Sequence, residues 1–310
     1  TKDLKETDEM LGSLMLTQSS EGGGGGDSAE SVVESVAEDI RTRWPGDFDI
    51  EAAMRKYPQD YHNSMNTVLT QELGRYNNLL VLVRNSLVNL GKALKGLALM
   101  NNELETVFRC VYDGKIPPPW LKKSFPSLKP LSGYVKETID RCQFLQGWVD
   151  DGQPKLFWLP GFFFTQAFLT GSKQNFARKY TIEIDKVDFD FFVKDDLEEA
   201  PQEAPDDGVL VNGMFIEGCA WDSDKHVLCE SDPKVLFTNF PTIHMCPMDV
   251  ANVSSAETYS CPVYKTPDRR GILSTTGHST NFVLDTAIPI DKDAAHWTKR
   301  GVALLLSLME

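Results

Sequence analysis

Residues 155–185 read KLFWLPGFFFTQAFLTGSKQNFARKYTIEID, the most apolar and aromatic stretch of an otherwise acidic chain. Leu156 to Phe164 is almost wholly hydrophobic, interrupted only by Pro160 and Gly161. Beyond it Phe164, Phe168, Phe176 and Tyr180 fall at helical spacings, with Gln174, Asn175, Arg178 and Lys179 on the other face. Pro160 suits a helix start, where its missing N–H would have had no partner. After Tyr180 the period becomes two: Ile182 and Ile184, then Phe189 and Phe191 alternating with Asp188 and Asp190. The stretch is therefore expected to join a helical half to a β half.

Upstream the pattern is helical. Asp27 or Ser28 is placed to cap a helix running to Arg43, with Val32, Val33, Val36 and Ile40 inside and Trp44-Pro45-Gly46 ending it. Asp49 caps a short helix to Tyr57, stopped by Pro58. From Ser64 to Tyr112, Leu73, Tyr76, Leu80, Val83, Leu87, Leu90, Leu94 and Leu97 alternate steps of three and four, a heptad-like seam. Unbroken, it would span about 70 Å, too long for a compact domain unless it crosses a larger assembly. Asn101-Asn102 with Glu105 is the expected recapping point, and Gly91 and Gly96 weaken the middle. Leu131 to Val149 is a further amphipathic helix. Ahead of all these, Thr1–Thr17 carries Leu4, Leu11 and Leu14 on one side, and the glycines at 22–26 make a flexible linker.

Downstream, strands are expected at Val209–Glu217 (one strand with a glycine bulge at Gly213), His226–Cys229, Thr242–Met248, Tyr259–Tyr264, Thr280–Thr286 and Gly301–Met309. Strands this frequent, separated by Pro and Gly, point to an antiparallel barrel or sandwich. The division is 1–46 as lead-in helices and linker, 47–180 as the helical subdomain and 181–310 as the β subdomain, an α+β chain.

The net charge is -14 and uneven: residues 61–180 carry 15 Lys+Arg against 8 Asp+Glu, whereas 181–310 carry 10 against 23. Such a chain is a poor partner for nucleic acid or anionic lipid; only its middle third suits an acidic partner surface, and a solvated helix face is the simpler reading of that charge. No apolar run approaches a membrane span, and TKDLKETDEM is no signal peptide. Six cysteines without scaffold spacing suggest free thiols in a reducing, cytoplasmic compartment.

The chemistry-bearing residues do not form a convincing catalytic motif. Cys229, His244, Cys246 and Cys261 are zinc-compatible types, but the spacing lacks Cys-x-x-Cys and buried strand cysteines explain them more simply. Gly277-His278-Ser279 sets a base beside a hydroxyl without a nucleophile elbow. The glycine run at 22–26 is not followed by the Gly-Lys-Ser/Thr of a phosphate loop. Arg269-Arg270 is expected to make a salt bridge at the surface or with a partner, the sharper alternative being a bidentate clamp on an anion. Asp185, Asp188 and Asp190 read as the wet face of a half-buried strand.

Several long motifs stand in order: KSFPSLKPL (123–131), FWLPGFFFTQAFLTGSKQNFARKYTIEID (157–185), DGVLVNGMFIEGCAWD (207–222), CPVYKTPDRRGILSTTGHSTNF (261–282) and HWTKRGVALL (296–305). Together they closely resemble the C-terminal domain of dynein heavy chains, from about Asp47 to the end. FFFTQAFLTG followed by QNFARKYTI is similar to axonemal chains, and with KSFPSLKPL most like the single-headed inner-arm class. Glu183 stands where the family pattern has proline, and Cys219-Ala220-Trp221 where a small residue then arginine is usual.

The resemblance implies six α-helices followed by an incomplete six-stranded antiparallel β-barrel. It implies a non-catalytic domain in a ciliary or flagellar axoneme, packed on an AAA+ ring and regulating microtubule motility. ATP and magnesium would belong to the parent motor, with no cofactor in this chain. On that basis Leu73, Leu80, Leu87 and Leu94 are expected to face the ring, Phe162, Phe163 and Phe164 to anchor the joint, and Arg269 and Arg270 to make a charged contact. A different reading makes the β half a binding module for light or intermediate chains, through exposed strand edges.

Overall fold

The computed structural model describes residues 28–195, 197, 201, 203–253, 257–271 and 280–309. The expected elements in 1–27 and the Gly277-His278-Ser279 triplet lie outside these residues. The described chain is α+β. Its helices are α1 (Ala29–Arg43), α2 (Ile50–Lys56), α3 (Ser64–Leu94), α4 (Asn102–Tyr112), α5 (Pro118–Leu121), α6 (Leu131–Asp151), α7 (Thr165–Tyr180) and α8 (Ala294–Arg300).

Local chemistry accounts for the helix ends. Ser28 Oγ accepts from Ser31 N to cap α1, and Asp49 Oδ1 accepts from Ala52 N at 2.9 Å to cap α2. The long seam breaks as a Schellman turn: Gly96 takes φ +70°, Gly96 N–H donates to Ala93 O and Leu97 N–H to Lys92 O. Asn101 then recaps α4 by accepting from Leu104 N at 2.8 Å. α3 is thus about 46 Å long, and Leu97 is no part of its seam but 76% exposed. The last turn of α6 is held by α2, where Lys56 Nζ donates to Val149 O and Asp150 O.

The strands are β1 (Leu156–Trp158), β2 (Val187–Lys194), β3 (Val209–Asn212), β4 (Phe215–Glu217), β5 (Ala220–Asp222), β6 (Val227–Cys229), β7 (Phe237–Asn239), β8 (Thr242–Asp249), β9 (Thr258–Tyr264), β10 (Phe282–Pro289) and β11 (Ala303–Leu305). They form a sheet of order β1-β3-β8-β2, a second of order β10-β9-β11-β4-β7, and the β5-β6 hairpin. Among the described residues this is not the single six-stranded antiparallel barrel expected. β1 pairs with β3 in parallel, as does β11 with β9. A parallel pair needs a crossover, and the segment between β1 and β3 supplies one through α7.

Four local expectations are corrected. Val209–Glu217 is two strands in different sheets, because Gly213, at φ +85°, turns the backbone against the Trp158 ring where a Cβ would collide. Pro160 sits in a 3-10 turn, Leu159–Gly161, and α7 starts only at Thr165. Ile184 is exposed in another 3-10 turn, so strand β2 begins at Val187, and Asp190 is buried rather than wet. Gly301–Met309 narrows to β11, preceded by the unforeseen α8.

The buried apolar side chains form one cluster from Val33 in α1 to Leu306 beyond β11, so the two halves share a core. Two glycines test the backbone argument in opposite directions. Gly91 lies within α3 with open space around its missing Cβ, and Gly91→Ala is expected to stabilise the protein by about 0.5–1 kcal/mol. Gly213→Ala is expected to destabilise it by about 1–3 kcal/mol through overpacking and strain. Denaturant unfolding of the two variants checks both signs.

Candidate functional site

The joint between the halves is built on α3. Its buried face steps Met65, Leu69, Glu72, Tyr76, Leu79, Val83, Leu87, and Glu72 stands in that row wholly buried. The carboxylate has a task there. α7 has no side-chain N-cap, since Phe164 occupies the capping position, and the N–H groups entering a helix have no intrahelical acceptor. Phe164 N–H donates to Glu72 Oε1 at 3.1 Å and Phe163 N–H to Glu72 Oε2. A residue 92 positions away in sequence thus caps α7 with the two oxygens of its carboxyl group at the helix's positive end. Arg75, one turn along α3, pairs with Glu72 at 3.0 Å and lies 5.1 Å from the Phe164 ring centre. Burial pushes the Glu72 carboxyl above its ordinary value, and the Phe163 and Phe164 N–H groups and Arg75 draw it back only in part.

A second buried pair lies on α6. Arg141 Nε donates to Glu137 Oε1 at 3.1 Å, and its guanidinium carbon sits 3.7 Å from the Phe125 ring centre. Arg141 Nη1 reaches Phe162 O at 3.4 Å, and Tyr76 Oη donates to Gly161 O at 2.9 Å. The turn Gly161-Phe162-Phe163-Phe164 is therefore held through both its carbonyls and its N–H groups. The β half enters the same cluster. Ser307 Oγ donates to Glu137 Oε2 at 3.3 Å. Lys265, just after β9, has its ammonium driven down by burial and by Arg141, with Glu72 pulling the other way.

Aromatic rings pack beneath the turn. Phe162 stacks on Phe168 at 4.2 Å, Phe157 meets Phe168 at 4.8 Å, and Trp148 closes on Phe157 at 5.3 Å. Phe163 lies edge-on to Tyr76 at 5.3 Å. Gly161 admits no side chain here, since a Cβ would lie 2.6 Å from the Phe144 ring. Glu72, Glu137 and Arg141 are thus committed to backbone groups or to one another, an arrangement that holds the joint in register.

The residues singled out in the sequence divide. Phe162 is buried, Phe163 half-buried and Phe164 43% exposed, and all three lie at the joint. Leu73, Leu80 and Leu87 are buried in the domain's own core and cannot face a neighbour, and Leu94 is half-buried. Their regular spacing reported a core seam, which an outward-facing seam would match equally well in sequence. Arg269 pairs with Glu217 and stacks near Tyr264, while Arg270 is exposed. Cys229, Cys246 and Cys261 fall on three different sheets, and His244 Nε2 is engaged by Asp207 O at 2.8 Å. Among the described residues no three His, Cys, Asp or Glu side chains converge as a metal site. No described helix is long and apolar enough to cross a membrane.

The residues missed were Glu72, Glu137 and Arg141. A signal existed: Glu72 keeps step with Met65, Leu69, Tyr76 and Leu79, and Arg141 with Tyr134, Thr138, Leu145 and Trp148. A charge in phase with a buried row calls for a buried partner. Lys265 carries no such signal.

Comparison with known proteins follows the same span. The family described as the C-terminal domain of the dynein heavy chain matches residues 4–306. The protein is 49% identical over 308 residues to dynein axonemal heavy chain 3 of Mus musculus, an alignment covering 99% of the present sequence and 8% of that relative. It is 46% identical over 309 residues to dynein axonemal heavy chain 12 of Homo sapiens, 99% and 10% respectively. It is 44% identical over 303 residues to dynein axonemal heavy chain 1 of Rattus norvegicus, 98% and 7%. The present sequence thus spans no more than a tenth of the length of these relatives.

Glu72→Ala is expected to lower stability by about 2–5 kcal/mol, because two buried N–H groups lose their acceptor. The sign with pH is also fixed. A carboxyl whose folded value is raised gives the folded state extra proton affinity, so its cost is greatest above the folded value and fades as pH falls toward the usual 4.5. Thermal unfolding of wild type and Glu72→Gln from pH 7 down to pH 5 is therefore expected to show the difference moving in favour of the wild type.

Proposed function

The protein belongs to the family of C-terminal domains of dynein heavy chains, and from that premise we propose that it is a non-catalytic structural and regulatory domain of an axonemal dynein. On this reading it packs on the AAA+ ring of its own heavy chain and tunes ATP-driven movement along microtubules in a cilium or flagellum. ATP and magnesium belong to the ring, outside this domain. The KSFPSLKPL motif supports the single-headed inner-arm class.

The observation that carries the reading is the Glu72 cap. It ties α3 of the helical half to the entry of α7, from which the backbone passes into the β half. The β half is joined to this frame by the common core and by Ser307 Oγ on Glu137 Oε2, and a domain braced in this way is suited to pass displacement between its halves, which is what a regulator of ring movement requires. The contact with the ring is not made by the Leu73–Leu87 seam, which the domain keeps for itself. The exposed tip after α3 fits better: Leu97, Leu99 and Met100 are 76%, 90% and 40% exposed. Arg270 remains a candidate charged contact, with Arg269 held by Glu217.

A second reading is favoured by one feature. β7 is an outer strand of the five-stranded sheet, and Val235 and Leu236 beside it are exposed. A light or intermediate chain that added a strand there would make this half a binding platform. Capture of such a partner by wild type, lost on Leu236→Asp, would support it.

Two motor experiments test the first reading. In the whole heavy chain, Leu97→Asp with Leu99→Asp is expected to loosen the domain from the ring by about tenfold or more, as two buried leucines each bring about 1.5–3 kcal/mol. Removal of residues 181–310 is expected to change microtubule gliding velocity while nucleotide binding by the ring persists. Unchanged ring association and unchanged velocity would remove the regulatory assignment.

A further inference from the structure

The excursion between α4 and α6 carries Lys115, Lys122, Lys123 and Lys129 against a single acid, Asp113, in a protein of net charge -14. Lys115 pairs with Asp113 at 3.2 Å, and Lys129 points inward to Glu137 at 3.6 Å. Lys122 and Lys123 are exposed and have no acidic partner within 4 Å among the described residues. In the same excursion Leu121, next to Lys122, is 39% exposed and Leu128 41%.

This surface stands on a rigid base. Trp120, wholly buried, donates from Nε1 to Ser86 Oγ at 3.1 Å. Phe125, also buried, lies under the Arg141 guanidinium, and Tyr134 Oη donates to Ser124 Oγ at 2.9 Å. Leu131 N–H donates to Gly114 O at 2.8 Å, closing the excursion on itself. The α5 turn is further stiffened by Pro117, Pro118 and Pro119. The backbone that carries Lys122, Lys123, Leu121 and Leu128 is thus held in place, so the main chain has little entropy to lose on binding.

We infer that the Leu121–Leu128 face is a docking surface for a short acidic protein segment that also carries apolar side chains. Charge complementarity selects the acid, and the exposed leucines select the apolar neighbours. Extended polyanions fit less well. The patch is small, and the acidic remainder of the protein repels a nucleic acid or an anionic bilayer at longer range. The inference does not depend on the ring-contact reading.

The test uses the 310-residue protein and a fluorescein-labelled peptide of three Glu-Glu-Leu repeats, followed by anisotropy at two salt concentrations. Saturable, salt-sensitive binding is expected. Lys122→Glu with Lys123→Glu is expected to weaken it about tenfold or more, and Leu121→Ser with Leu128→Ser to a similar degree. Lys194→Glu, at an exposed lysine on β2, is expected to leave it unchanged. All these side chains are exposed, so circular dichroism is expected to match wild type. The inference is overturned if the charge-reversed variant binds as well as wild type or if no binding occurs. It is also overturned if an all-glutamate peptide, an oligothymidine or phosphatidylserine vesicles bind as tightly as the probe.

Discussion

Two peptide N–H groups, those of Phe163 and Phe164, meet one carboxylate, that of Glu72, inside the shared core. Much else follows from this constraint. Phe164 holds the capping position of α7 and its ring offers no acceptor, so the polar cap that a helix needs cannot come from its own capping residue. It comes instead from α3, and α3 must then lie against that turn. Tyr76 on the next turn of α3 fixes Gly161, and Arg141 from α6 reaches Phe162, so two helices converge on four residues. Burying the carboxylate is costly and is offset only by completing all these contacts together.

The charge balance of the joint is uneven. Glu72 and Glu137 are the acids, while Arg75, Arg141, Lys129 and the incoming Lys265 are the bases. Ser307 is the contact made by the β half, its hydroxyl donating to Glu137, which pairs with the buried Arg141. An arrangement of this kind resists separation of the halves, because opening it would strand charges in a poorly hydrated gap.

Much of this architecture was legible in the residues. Ser28, Asp49 and Asn101 announced helix starts because their short side chains accept from the backbone, and each does so. Gly96 and Asn101 marked the break in the long seam. The β half was less legible, because strand pairing depends on partners far along the sequence and on which sheet each short strand joins. Gly213 illustrates this: a glycine within an alternating run reads as a bulge, whereas it turns the backbone between two sheets beside Trp158. The parallel pairing of Leu156–Trp158 with Val209–Asn212 left no local trace at all. At the joint, the aromatic triplet 162–164 was visible as hydrophobicity. Its acceptor sits in a distant helix and shows only as a charge in phase with a buried row.

The most direct test of the joint is hydrogen exchange at the two capped amides. If Glu72 holds the entry to α7, the N–H groups of Phe163 and Phe164 are protected in the wild type as strongly as the core amides of α3. In Glu72→Ala they then exchange fast while α3 stays protected. Rapid exchange of these two amides in the wild type, or protection that survives the loss of Glu72, would contradict the role of the carboxylate as the cap that ties α3 to the entry of α7.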